Sequence, residues 1–136
     1  MERSLQRYAG MEKPYDFRKR SFLFGVQVVG FCRIVARRDP ILRHIAYQLV
    51  DSGTSIGANL AESINGQSKP DFISKLSIAL KESRETHYWL SIFVASEPPV
   101  APIAAPLIQE ADEFVSMLTK SINTARSRPD RSRRQP

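Results

Sequence analysis

Few side chains in this sequence could do chemistry. Those that could are carboxylates and imidazoles on helix-patterned segments, namely Glu62, Glu82, Glu85, His44 and His87, together with one thiol, Cys32. Carboxylates and imidazoles gathered in a helical core bind metal ions or move protons. A di-iron bundle takes a Glu-x-x-His pair from each of two helices, and no Glu-x-x-His occurs in the sequence. His44 and His87 fall on different helical segments with no evident third ligand. Acid–base work by Glu62 or Glu85 needs a raised pKa and a pocket, and the sequence signals neither. There is no phosphate-binding glycine loop and no nucleophile elbow. The expectation is a non-enzymatic chain with no cofactor and no metal. A metal or enzyme function would have to draw on Glu62, Glu82, Glu85 and His87.

These polar residues read better as architecture. Asn59 and Glu62 lie three apart on one segment; Glu82, Ser83, Glu85 and Thr86 lie midway along the next. Hydrogen bonds between the two sets would fix helix register, because a buried polar group must be paired. Cys32, on an apolar helix face, reads as a small buried hydrophobe.

The charge is uneven. The formal net charge is +6. Between Arg18 and Arg43 seven basic residues (Arg18, Lys19, Arg20, Arg33, Arg37, Arg38, Arg43) face the single acid Asp39, and the tail "RSRPDRSRRQP" carries Arg126, Arg128, Arg131, Arg133 and Arg134 against Asp130. The remainder is net acidic. Such asymmetry suggests a polyanion, the backbone of RNA or DNA. The alternative is a solvated helix face and a solubilising tail.

The elements that must position these residues are helices. At 136 residues, 42% hydrophobic and 25% charged, the chain suits one soluble domain. Residues 1–15 lack clear periodicity and are expected to be a flexible N-terminal segment. Phe17, Phe24, Val28, Phe31 and Val35 form one helical face. "RRDP" ends that helix, with Asp39 as the next N-cap and Pro40 at the first helical position. Ile45, Leu49, Gly53, Ile56, Leu60 and Ile64 continue as one stripe through a segment rich in Gly, Ala and Ser. Helix there carries Gly53 and Gly57 at about 1 kcal/mol each relative to Ala, so close approach of a neighbouring helix or another subunit is expected. "NGQ" closes the helix and "SKPD" caps the third, with the stripe Phe72, Leu76, Ala79, Ser83, Thr86, Leu90 and Phe93. "EPPVAPIAAP" predicts a break, and Leu107 to Ala125 a fourth helix. The simplest assembly is an all-α, antiparallel up-down-up-down four-helix bundle over residues 16–125, followed by a disordered Arg-rich tail, 126–136.

Apolar residues off the core stripes imply a second partner. Phe22, Val26 and Val29 on helix one, Gly53 and Gly57 on helix two and Trp89 on helix three are the candidate oligomer interface. No apolar run reaches the roughly 18 residues of a membrane span, and no secretory signal is evident. The expected location is the cytoplasm, with no membrane partner.

"SIGANLAESINGQSKPDFISKLSIALKESRETHYWL", Ser55–Leu90, resembles the four-helix bundle family related to proteins encoded in 23S ribosomal RNA intervening sequences. The likeness rests on Ser55, Asn59, Ala61, Glu62, Ser68, Asp71, Phe72, Leu76 and Ala79, and on "ETHYWL"; Ser63 departs from the usual Gly or Ala. The resemblance implies a cytoplasmic bacterial protein that forms a ring-shaped homopentamer. It also extends to the accessory proteins of diversity-generating retroelements, which bind reverse transcriptase and nucleic acid. The expected function is an oligomeric bundle binding RNA or DNA through basic surface residues. The alternative is a protein-interaction scaffold without nucleic acid.

Overall fold

The computed structural model describes residues 16–65 and 68–129. Four long helices follow in order: α1 Asp16–Ala36, α2 Pro40–Ile64, α3 Lys69–Ser96 and, after a 3-10 turn at Pro98–Val100, α4 Ala101–Ser127. No strand occurs among the described residues. The expected N-terminal segment 1–15 and most of the expected tail, 130–136 with Arg131, Arg133 and Arg134, lie outside them.

The boundaries follow from local chemistry. The Asp39 carboxylate accepts the Leu42 N–H at 2.9 Å and Pro40 sits at the first helical position, where its missing N–H costs nothing. Ser68 does the same for α3, accepting from Asp71 N at 3.2 Å. Asn65 closes α2 with ordinary φ of −93°, not the left-handed form that "NGQ" suggests, and its N–H returns to the Glu62 carbonyl; Gly66 is outside the described residues.

The expected break over Pro98–Pro106 is much shorter. The 3-10 turn takes Pro98 and Pro99, and α4 already begins at Ala101 with Pro106 inside it. A proline this close to a helix start removes one intrahelical bond, to the carbonyl of Pro102, and both prolines are exposed, so water can take up that carbonyl.

One core joins all four helices. Phe24, Val28, Phe31 and Val35 of α1 meet Leu49, Ile56, Leu90, Phe93, Phe114 and Leu118 from the other three. Burying each such side chain contributes about 1.5–3 kcal/mol. Phe31 and Phe93 pack edge to face at 5.4 Å, as do Phe24 and Phe114 at 5.4 Å.

Cys32 belongs to this core, with Sγ 3.5 Å from the Ala46 carbonyl. Burial pushes its thiol up to about 12 from 9.0. A thiol reagent at neutral pH should therefore label it only on unfolding; rapid native-state labelling would contradict its burial. The sign of the linkage follows. The folded state keeps a proton that the unfolded chain releases, so this group's contribution to stability is lost as pH climbs from 9.0 toward about 12.

Candidate functional site

Nine of the twelve basic residues singled out in the sequence are among the described residues, and these nine do not form one patch. Arg18 and Arg33 are 15 residues apart on α1, about 22 Å along its axis. Arg126 and Arg128 sit at the end of the molecule marked by the α2–α3 turn, where Lys69 Nζ donates to the Arg128 carbonyl. Arg33, Arg37, Arg38 and Arg43 gather at the opposite end, around the α1–α2 corner.

Two of the arginines are held internally. Arg20 reaches 90 residues along the chain to grip Glu110 and, beside it, Glu113, and its guanidinium lies 5.6 Å from the centroid of the Phe114 ring. The hydrogen bond it donates to Glu110, then the charges of both carboxylates, raise its pKa against an opposing effect of burial. Arg38 Nη1 donates to Glu97 at 3.0 Å, tying the α1 end to the α3 end. Arg33, Arg37 and Arg43 are exposed and make no ion pair among the described residues. The Asp39 carboxylate in their midst is the α2 cap.

The inter-helix polar contact is smaller than the expected network. Thr86 Oγ1 and Ser52 Oγ stand 3.0 Å apart, both buried, linking α3 to α2. Each hydroxyl is also within reach of its own helix: Thr86 of the Glu82 carbonyl at 2.7 Å, Ser52 of the Leu49 carbonyl at 3.2 Å. Two hydroxyl hydrogens thus serve three contacts, and one oxygen accepts while it donates. Ser83 bonds back to Ala79 at 2.8 Å. Asn59 donates within its own helix to Ser55 at 2.8 Å. Glu62 is exposed and pairs with Lys75 at 2.7 Å, raising the Lys75 pKa. Glu85 accepts the Trp89 indole N–H at 3.3 Å. Glu82 has its carboxyl raised by burial, then by Glu85 and Asp51, with Lys81 opposing.

Thr86→Val should cost about 1 kcal/mol in urea denaturation, a typical net hydrogen bond. Adding Ser52→Ala should cost less than the two single changes together. Strict additivity would mean that the two hydroxyls do not communicate.

The glycines draw α1 and α2 together within one chain. A Cβ on Gly53 would stand 2.8 Å from Val28 Cγ1, and one on Gly57 3.3 Å from the Ser21 backbone. On the outer side of that seam lies an open groove of about 960 Å³. Gly25, Gly57, Ala58 and Ala61 form its low floor; Phe22 and Val26, 70% and 47% exposed, stand as its wall, with Val29 half-buried beyond. Arg18 and Lys19 lie at its mouth, and among the described residues no carboxylate lines it. Trp89 is elsewhere, half-buried against the core, with the exposed Tyr88 ring at 5.2 Å.

Residues 15–120 match the family model described as 23S rRNA-intervening sequence protein. The chain belongs to this family. This member is also similar to a protein of unknown function from the S23 ribosomal protein family of Bacteroides thetaiotaomicron VPI-5482, known from a crystal structure at 1.70 Å: 32% identity, 78% of this chain and 97% of that one covered, TM-score 0.71. No curated protein matches the chain.

The motif behind the resemblance to the intervening-sequence family now has a local reading. Ser55 bonds back to the Asp51 carbonyl, Asn59 to Ser55, Ser68 caps α3, and Leu76 and Ala79 are core. These are tasks of folding. Among the described residues no group of three or more His, Cys, Asp or Glu could hold a metal ion, and His87 stands beside Asp112 at 3.3 Å. No described helix is long and apolar enough to cross a membrane. Among the groove residues, sequence reasoning missed Ser21 and Gly25. Their only signal was smallness at helical spacing.

Proposed function

We propose that the protein works without catalysis, as a cytoplasmic antiparallel up-down-up-down bundle that self-associates into a ring, a homopentamer, and holds the phosphate backbone of RNA or DNA at its α1–α2 corner. The direction of the helices is supported by their contacts: Ser21 with Gly57, Val28 with Gly53 and Cys32 with Ala46 descend α2 as they climb α1. Lys75 with Glu62 and Thr86 with Ser52 do the same for α3, and Lys69 with Arg128 and His87 with Asp112 for α4. The observation that carries the nucleic-acid reading is the trio Arg33, Arg37 and Arg43, exposed and without an ion pair among the described residues. Unpaired guanidiniums on a rigid corner suit phosphate oxygens, which they contact without reading base sequence. Repetition around a ring would multiply weak contacts by avidity.

The test compares the wild-type chain with Arg33→Gln/Arg37→Gln/Arg43→Gln, titrated into labelled single-stranded RNA and duplex DNA at low salt. Binding to both, without strong sequence preference and lost in the variant while the helical circular dichroism is kept, is the expected result. A variant that binds like the wild type would move the activity elsewhere or abolish it.

A second reading rests on the groove. An apolar trough with an exposed Phe22 wall suits a protein partner, so the chain would act as a scaffold. A single protein recovered with the native chain regardless of nuclease treatment, and no affinity for RNA or DNA, would favour it.

A further inference from the structure

The groove is matched by a second, unlike surface on the same chain. Ile78, Glu82, Glu85 and Trp89 follow spacings of 4, 3 and 4 on α3, which sets them in one stripe along its α2-facing flank. Asp51 of α2 approaches from across that seam, close enough to help raise the Glu82 carboxyl. None of Asp51, Glu82 and Glu85 has an ion-pair partner among the described residues. The groove has the opposite deficit among the described residues: its charges there are Arg18 and Lys19, neither with an ion-pair partner, and no described carboxylate lines it.

We infer that the α1–α2 groove receives a second copy of this chain through that copy's α2–α3 flank, with Arg18 and Lys19 facing the neighbour's Glu82 and Glu85. The inference rests on the self-association proposed above and specifies its two surfaces. Register supports the pairing as well as sign. Arg18 stands four residues before Phe22, and Glu85 four before Trp89, so each surface offers a charge followed one turn later by an aromatic ring. With the charges opposed, the Phe22 wall meets the Trp89 flank, and the floor of Gly25, Gly57, Ala58 and Ala61 leaves room for the incoming side chains. The groove and the acidic stripe are different surfaces, so the contact is heterologous. Such contacts repeat from copy to copy and close into a ring when the rotation permits. A cation brought to three crowded carboxylates relieves their mutual repulsion, and like charges brought there would add to it.

The experiment is light scattering on the size-exclusion peak of the full chain at micromolar concentrations, with circular dichroism as the control for folding. Arg18→Glu/Lys19→Glu and Glu82→Lys/Glu85→Lys should each weaken association at least tenfold. All four changes in one chain should restore it, and an equimolar mixture of the two variants should recover pairing between unlike copies, although strict alternation cannot close a ring of five. Phe22→Ser, which leaves every charge in place, should also weaken it at least tenfold. A wild-type oligomer that survives all these changes would overturn this docking while leaving self-association standing. Variants that dissociate without rescue on mixing would overturn the charge pairing. A wild-type chain that stays monomeric would overturn both the docking and the proposed ring.

Discussion

Phe114→Ala is expected to destabilise the fold by about 3–5 kcal/mol, the range for deleting a buried aromatic side chain. Phe114 is fully buried, and it stands where α4 meets α1. That meeting is short. Phe17 packs tilted and Phe24 edge to face against the Phe114 ring at 5.9 and 5.4 Å, and Arg20 lies over it while holding Glu110 and Glu113. Removing the ring leaves a cavity between three α1 side chains and strips the guanidinium of its aromatic surface. Urea denaturation followed by circular dichroism measures the loss. Phe22→Ala serves as control: with its ring 70% exposed it should change the stability of the single chain by no more than about 0.5 kcal/mol. A loss below about 1 kcal/mol at Phe114 would mean that α1 and α4 are not held together there.

The second large effect belongs to Gly53. A Cβ there would stand 2.8, 3.0 and 3.2 Å from Val28 Cγ1, Cγ2 and Cβ. Val28 is fully buried and, being β-branched in a helix, has essentially one rotamer, so it cannot swing aside. Gly53→Val forces α1 and α2 apart and should cost about 3 kcal/mol, the upper end of the overpacking range. Val28→Ala in the same chain should recover part of that loss, because the two side chains compete for one space. Gly30 gives the contrast. Nothing lies within 4 Å of its missing Cβ, so Gly30→Ala should raise stability by up to about 1 kcal/mol through helix propensity alone. Equal effects at the two glycines would remove close packing as the reason for Gly53.

Gly53 also marks how far the sequence speaks. The stripe Ile45, Leu49, Ile56, Leu60 made α2 legible across its small residues, because burial of one face outweighs the propensity cost of two glycines. That something approaches Gly53 and Gly57 closely was legible too. Which surface approaches was not, since Val28 and Ser21 of the same chain and a second subunit present the same requirement. The start of α4 was hidden for another reason: four prolines in nine residues look like a break, yet a proline near a helix N-terminus deletes little. Arg20 counted as a free cation because its partners lie 90 residues away. The register contact fell to Ser52 and Thr86 rather than to Asn59 and Glu62, because Asn59 is satisfied within its own turn and Glu62 reaches solvent beside Lys75. Local periodicity fixes faces, whereas ion pairs and small hydroxyl contacts depend on how those faces are rotated against each other.

The most direct test of the proposed function is the salt dependence of duplex binding by the wild-type chain and by Arg33→Gln/Arg37→Gln/Arg43→Gln. Three arginine–phosphate contacts per chain predict a slope of log Kobs against log salt that is shallower by about 2.7 per bound chain in the variant, or about a 40-fold smaller change in affinity between 50 and 200 mM. A wild-type chain that binds no duplex or single strand even at the lowest salt, or two slopes that coincide, would contradict a phosphate-holding corner.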